Sequence, residues 1–214
     1  FRSTSMIRVP EFDEEKYLVM VTKQGIIKRI SLNAYNTARK GGLIALELNE
    51  GDELAWVRLT DGNQQVIVAT KNGLAIRFEE TDVRPMGRQA RGVKAISLRE
   101  GDCVVGMCVV ANDDLILTAS ETGFGRISNV SDYRLQSRGG KGITNYHTEK
   151  YGNVAAVSAV KLDEDIIIIS QEGVIIRIAA DTVRICNRPS KGVTLMRIGE
   201  NDKVVTVARA PHED

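Results

Sequence analysis

At 214 residues, with 29 Lys and Arg against 28 Asp and Glu and a formal charge of +1, the chain lacks the bulk positive excess of a strongly basic nucleic-acid binder. Its hydrophobic fraction of 43% is too high for disorder, and apolar runs such as Ile166 to Ile169 fall far short of the ~20 residues that span a bilayer. Cys103, Cys108 and Cys186 are odd in number and fit neither a zinc-ligand nor a CxxC spacing, so reduced thiols of a cytoplasmic protein are expected.

Residues 1–6 read as a loose lead-in without the apolar core of a signal peptide, and Ile7-Arg8-Val9 as a strand left over from an earlier repeat. With 22 Val and 20 Ile, about a fifth of the chain, and no long stripe of helical period, the chain is expected to be all-β. A period of 50 then organises it. Gly42, Gly92, Gly142 and Gly192 each precede a short β-prone stretch. Hairpins with glycine in the turn occur in phase, around Gly25, Gly73, Gly123 and Gly173, where the turn needs a positive φ. A turn and strand close each unit: Glu50-Gly51-Asp52, Glu100-Gly101-Asp102, the eroded Tyr151-Gly152-Asn153, and Glu200-Asn201-Asp202. The expected architecture is one propeller-like domain over 7–210, built of four-stranded blades of about 50 residues. Its four repeats cover about 16–62, 63–111, 112–161 and 162–210, and 211–214 form a tail.

The charge is not spread evenly over these repeats. Four in-phase loop segments, 34–45, 83–94, 133–143 and 183–194, hold twelve Lys and Arg and no Asp or Glu. They are Arg39 and Lys40; Arg84, Arg88, Arg91 and Lys94; Arg134, Arg138 and Lys141; Arg184, Arg188 and Lys191. The rest of the chain has 17 basic and 28 acidic residues, a balance of −11, so the near-neutral total is the sum of two faces. In a ring of blades, residues 50 apart share a rim, and the period turns these loops into a basic belt. Arginine pairs with two phosphate oxygens, and small Gly and Ser neighbours let backbone N–H groups approach an anion. No acidic or amide group recurs beside the arginines, so contact with double-stranded DNA is expected to depend little on base sequence.

The sharpest local motif is Gln136-Ser137-Arg138-Gly139-Gly140-Lys141-Gly142. It resembles the Gln-Arg-Arg-Gly-Gly-Lys-Gly box of the C-terminal domain of the DNA gyrase A subunit, with Ser137 in place of the first Arg. Asp82-Val83-Arg84-Pro85-Met86-Gly87-Arg88, Arg91-Gly92-Val93 and Gly51-Asp52-Glu53-Leu54 resemble further repeats of the same domain, so the likeness runs from about residue 7 to 210. The resemblance implies a β-pinwheel whose blades exchange strands around a ring, and a rim that binds and wraps DNA so that the holoenzyme can introduce negative supercoils. Gln136, Gly139, Gly140 and Gly142 join the twelve cations as implied DNA-binding residues. The resemblance implies no cofactor in this chain, with ATP and Mg bound elsewhere in an A2B2 holoenzyme. Its partners would be duplex DNA, the rest of the gyrase A subunit, and the gyrase B subunit, without a membrane, and the isolated domain would be monomeric and nucleoid-associated. The family has six repeats and carries its main box in the first, whereas this chain matches about the last four.

Two alternatives stay open: the topoisomerase IV counterpart, and a propeller scaffold that binds an acidic protein partner. Enzyme chemistry within the chain finds no support. Lys141 is followed by Gly142 where a phosphate-binding loop has Ser or Thr, and His147 and His212 lie 65 positions apart. Asp113-Asp114 and Asp163-Glu164-Asp165 read as solvated turns, Tyr35 and Tyr133 as packing residues, and Trp56 as core. By the resemblance, the DNA-cleaving tyrosine and the ATPase lie outside this domain.

Overall fold

A computed structural model describes residues 16–35, 48–87 and 89–213. Its first repeat supplies β1 (Tyr17–Thr22), β2 (Ile26–Ser31) and β3 (Leu54–Thr60), and the second opens with β4 (Gln65–Thr70) and β5 (Leu74–Glu79). Then come a two-residue strand β6 (Val93–Lys94) and the outer strand β7 (Val104–Val110). The third repeat repeats this order with β8 (Leu115–Ser120), β9 (Phe124–Asn129), β10 (Ile143–Thr144) and β11 (Val154–Val160). The fourth does so with β12 (Glu164–Ser170), β13 (Ile175–Ala179), β14 (Val193–Thr194) and β15 (Val204–Pro211). The leftover strand expected at Ile7-Arg8-Val9 lies outside the described residues.

Each blade is an antiparallel sheet built on three strands of its own repeat, and the short strand of the next repeat completes it. The sheet orders are β3-β1-β2-β6, β10-β5-β4-β7 and β11-β8-β9-β14. Ile27 pairs with Val93, Ala75 with Ile143 and Gly125 with Val193. The fourth sheet, β13-β12-β15, has three strands among the described residues, and Val174 and Ile175 along its β13 side are 50% and 62% exposed.

One local device fixes every hairpin. Thr22, Thr70, Ser120 and Ser170 accept the backbone N–H four residues on with their hydroxyls and, through their carbonyls, the N–H of the turn glycine. The glycines, at φ between 82° and 91°, occupy backbone that side chains disfavour. In three blades the closing aspartate, Asp52, Asp102 or Asp202, accepts the N–H of Gln24, Asn72 or Glu172 and ties the outer strand to the hairpin. In the third repeat the Thr122 hydroxyl takes that place by donating to the carbonyl of Tyr151, and the eroded turn is preceded by one helical turn, α1 (Thr148–Tyr151).

The core lies between blades, in three apolar clusters that join successive sheets: around Val68, Ile76 and Ile96; around Ile67, Tyr133 and Tyr146; and around Ile127, Ile166 and Met196. Trp56 is half-buried against the first cluster. Buried arginines four residues after the turn glycine add polar joints. Arg29 donates to the carbonyl of Val83 (2.7 Å) and pairs with Glu80 (3.2 Å), and Arg77 donates to the carbonyl of Tyr133 (3.0 Å). Each thus grips the blade that follows. In the fourth repeat Arg177 instead donates to Asp165 (2.7 Å) and to the carbonyl of Pro211, and His212 bonds Asp165 at 2.7 Å.

Three of the period-50 glycines, Gly92, Gly142 and Gly192, sit where the donated strand begins, and Gly42 lies outside the described residues. A Cβ on Gly92, Gly142 or Gly192 would lie 2.5, 2.5 or 1.9 Å from a carbonyl oxygen of the preceding blade, at φ of +89°, +77° and +83°. Gly142→Ala should therefore cost about 2 kcal/mol or more in urea unfolding. Gly87→Ala, with nothing within 4 Å, should stay within about 0.5 kcal/mol; equal effects would refute the close-approach account.

The end of the fourth blade should respond to pH. The hydrogen bond with His212, then that from Arg177, holds the Asp165 carboxyl at about 2 against an ordinary 3.8. Its stabilisation is therefore complete above 3.8 and lost as pH falls toward 2. Asp165 in turn raises His212 above its ordinary 6.5, so that contribution is present below 6.5 and lost as pH rises through the raised value. His212→Gln should lower the melting temperature near about pH 5 and leave it unchanged near about pH 9; coincident melts at the lower pH would show that the contact adds nothing.

Candidate nucleic-acid interface

The basic segments of the last three repeats are the stretches of chain that carry each repeat across to the blade before it. In the last three repeats a single 3-10 turn, Glu80–Asp82, Val130–Asp132 or Ala180–Thr182, ends the hairpin and buries its first residue. The chain then forms a parallel bridge to the preceding blade: Pro85 to Arg29, Leu135 to Arg77, Ile185 to Ile127. The next N–H, of Met86, Gln136 or Cys186, bonds the carbonyl of that partner at 2.8 to 2.9 Å. Eight residues beyond the bridge the segment enters β6, β10 or β14. The basic residues are thus borne on backbone anchored at both ends.

Arg84, Arg91, Lys94, Arg134, Lys141, Arg184 and Lys191 are exposed. The second arginine of the loops in the third and fourth repeats behaves differently. Arg138 donates through Nε to the carbonyl of Asp82 (3.1 Å) and through Nη1 to that of Lys94 (3.0 Å). Arg188 repeats this one blade later, to the carbonyls of Asp132 (2.7 Å) and Thr144. These half-buried guanidiniums join consecutive loops, and their acceptors are neutral carbonyls, so their charge is not cancelled. Arg188 also lies 5.6 Å from the Tyr133 ring centre, and the Lys191 ammonium 3.9 Å from that of Phe124.

The heptapeptide around Arg138 is bound into the second repeat. Gly139 donates its N–H to the carbonyl of Ala95 (2.7 Å) and accepts the Ser97 hydroxyl (2.7 Å), and Gly140 accepts the Ser97 N–H (2.9 Å). Gln136 is half-buried, with Arg134 at 3.4 Å from its side-chain oxygen. The structure brings Arg84, Arg91, Lys94, Arg134, Gln136, Arg138, Gly139, Gly140, Lys141, Gly142, Arg184, Arg188 and Lys191 onto equivalent loops of three blades. Arg39, Lys40 and Arg88 lie outside the described residues.

Sequence reasoning missed the buried polar centre beneath the third loop. Arg126, fully buried, donates to the carbonyl and side-chain oxygen of Asn145, and Tyr133 donates its hydroxyl to the same side-chain oxygen at 2.5 Å. The Tyr146 hydroxyl donates to the carbonyl of Lys191 at 2.9 Å, linking this centre to the next loop. Tyr133 is fully buried, as expected of a packing residue, and His147 caps α1 at the surface.

Comparisons with known proteins agree with this geometry. The family model described as "DNA gyrase C-terminal domain, beta-propeller" matches residues 16–61, 64–110, 114–161 and 164–211. The DNA gyrase A subunit of Clostridium acetobutylicum is 56% identical over 90 residues, 42% of this chain and 11% of that protein. That of Halalkalibacterium halodurans is 55% identical over 91 residues, again 42% and 11%. The aligned part of the chain thus spans about a tenth of the length of these relatives. Among solved structures, a topoisomerase IV C-terminal domain superposes with a TM-score of 0.89 at 25% identity, covering 96% of this chain and 65% of that one. A DNA gyrase A C-terminal domain gives 0.82 at 28% identity, covering 94% and 68%. Four consecutive matches, one per blade, show that the chain belongs to the DNA gyrase C-terminal domain family of β-propellers.

Proposed function

We propose that this chain binds duplex DNA along its rim of basic loops and bends it, serving as the accessory C-terminal domain of the DNA gyrase A subunit in the introduction of negative supercoils. The observation that carries the reading is the recurrence of exposed cations on equivalent, doubly anchored loops of successive blades. Phosphates are the fitting ligand, because the loops present positive charge without a carboxylate and without a repeated base-reading amide. Identity above 50% to gyrase A subunits supports gyrase over the topoisomerase IV counterpart, which the structural likeness alone would favour.

In this reading the chain works in the cytoplasm at the nucleoid, as part of an A2B2 assembly with the remainder of the A subunit, and with the B subunit. Strand cleavage and ATP hydrolysis belong to those other parts, and the chain itself uses no cofactor. The domain's own work is mechanical: bending a few tens of base pairs costs roughly 1–6 kcal/mol, which several phosphate contacts must offset.

Binding should be strongly salt-dependent. If some six to ten cations meet phosphates, log affinity should fall against log salt with a slope of about −5 to −9. Arg134→Ala and Arg184→Ala should each flatten that slope by about one and leave the melting temperature unchanged. Arg138→Ala should weaken binding and also lower the melting temperature, because it removes two inter-repeat hydrogen bonds. Gel shifts over a salt series check both, and unchanged low-salt affinity in an Arg84, Arg134 and Arg184 triple alanine variant would overturn the belt. Competition separates the rival reading, since duplex DNA should displace nothing from a rim built for an acidic protein.

A further inference from the structure

Beside each first arginine of the rim stands an exposed apolar side chain: Pro85 after Arg84, Leu135 after Arg134, Ile185 after Arg184. Leu135 and Ile185 are 44% and 45% exposed. A single exposed leucine needs no explanation. Three apolar residues at one period do, in loops otherwise rich in Arg, Lys, Gly and polar side chains. None of the other exposed large apolar side chains among the described residues, such as Leu59, Leu162 and Val205, has an exposed apolar counterpart 50 positions away.

These residues are also held in place by the preceding blade. Each is the bridge residue that pairs in parallel with the preceding blade, and the N–H that follows it donates to that blade's carbonyl. The backbone is fixed while nearly half of the Leu135 and Ile185 surface stays open to solvent. The arrangement presents a rigid apolar knob with a cation next to it, once per blade.

We infer that Pro85, Leu135 and Ile185 press against the minor groove of the bent duplex and make the rim favour DNA with flexible pyrimidine–purine steps. The inference rests on the DNA-binding reading above and deepens it. A duplex curved around a protein turns its minor groove inward once per helical turn and narrows it there, which concentrates negative potential and draws in an arginine. An apolar side chain beside that arginine meets the sugar C–H groups lining the groove, and the duplex closes onto it at least cost where its steps are most flexible, at TA and CA. No hydrogen bond to a base is required, so deformability is selected without a sequence code.

The test uses the full 214-residue chain and two end-labelled duplexes of about 40 base pairs, one with TA steps spaced at about one helical turn and one with rigid A-tracts. At low salt the unsubstituted chain should bind the TA duplex about fivefold more tightly and draw its ends together in energy-transfer measurements. Leu135→Ser with Ile185→Ser should keep A-tract affinity within about twofold and keep the salt slope, yet lose both the TA preference and most of the end-to-end change. Leu135→Met with Ile185→Met should retain both, which separates an apolar contact from a folding defect. Equal binding of the two duplexes by the unsubstituted chain, or unchanged bending by the serine variant, would overturn the apolar contact and leave phosphate binding standing. Failure of the unsubstituted chain to bind either duplex would overturn the DNA reading itself, and the apolar contact with it.

Discussion

The pairing of a two-residue strand with the hairpin of the preceding repeat is the interaction on which the rest of this structure depends. A repeat alone makes a three-stranded sheet with an open side, and the next repeat supplies the missing strand through Val93–Lys94, Ile143–Thr144 or Val193–Thr194. The donor can come close enough only because a glycine precedes it, with a neighbouring carbonyl where a Cβ would stand. Arginines then lock the joint in both directions. Arg29 and Arg77 reach forward to the carbonyls of Val83 and Tyr133, and Arg138 and Arg188 reach back to those of Asp82 and Asp132. Stability is thus a property of adjacent pairs, as expected of repeat architectures.

Charge is handled in two ways. Buried Arg29 meets Glu80, and Arg177, exposed on the last blade, meets Asp165, so those charges cancel locally, while buried Arg77 and Arg126 meet neutral carbonyl and amide oxygens. On the rim the ordered arginines meet carbonyl oxygens, which orient the guanidinium and leave its charge in place. Segments without Asp or Glu therefore keep a positive potential despite a total of +1, while the acidic excess lies elsewhere in the chain.

Much of this was legible in the residues because it rests on local constraints. A turn that needs positive φ demands glycine at Gly25, Gly73, Gly123 and Gly173, and the rim loops carry cations without carboxylates, so both leave periodic marks. Which strand pairs with which is a long-range outcome that period alone leaves undetermined; it entered through the family resemblance. Arg138 and Arg188 read in sequence as rim cations, since an arginine aimed at a carbonyl looks the same as one aimed at a phosphate. Arg29, Arg77 and Arg177 keep a fixed distance from the turn glycine, yet charged residues in a strand ordinarily signal a solvent face. The Arg126, Asn145 and Tyr133 centre occurs once, in the third repeat, and so had no periodic trace to follow.

Because each repeat brings one donor strand and one acceptor hairpin, inserting or deleting a whole 50-residue unit adds or removes one joint and leaves every donor inside the array with an acceptor. The length of such a domain is thereby uncoupled from its chemistry: a lineage can lengthen or shorten the path offered to a polymer without evolving a new contact surface. Curvature can then be tuned at one joint at a time, through the side chains that set how two neighbouring blades lean on each other.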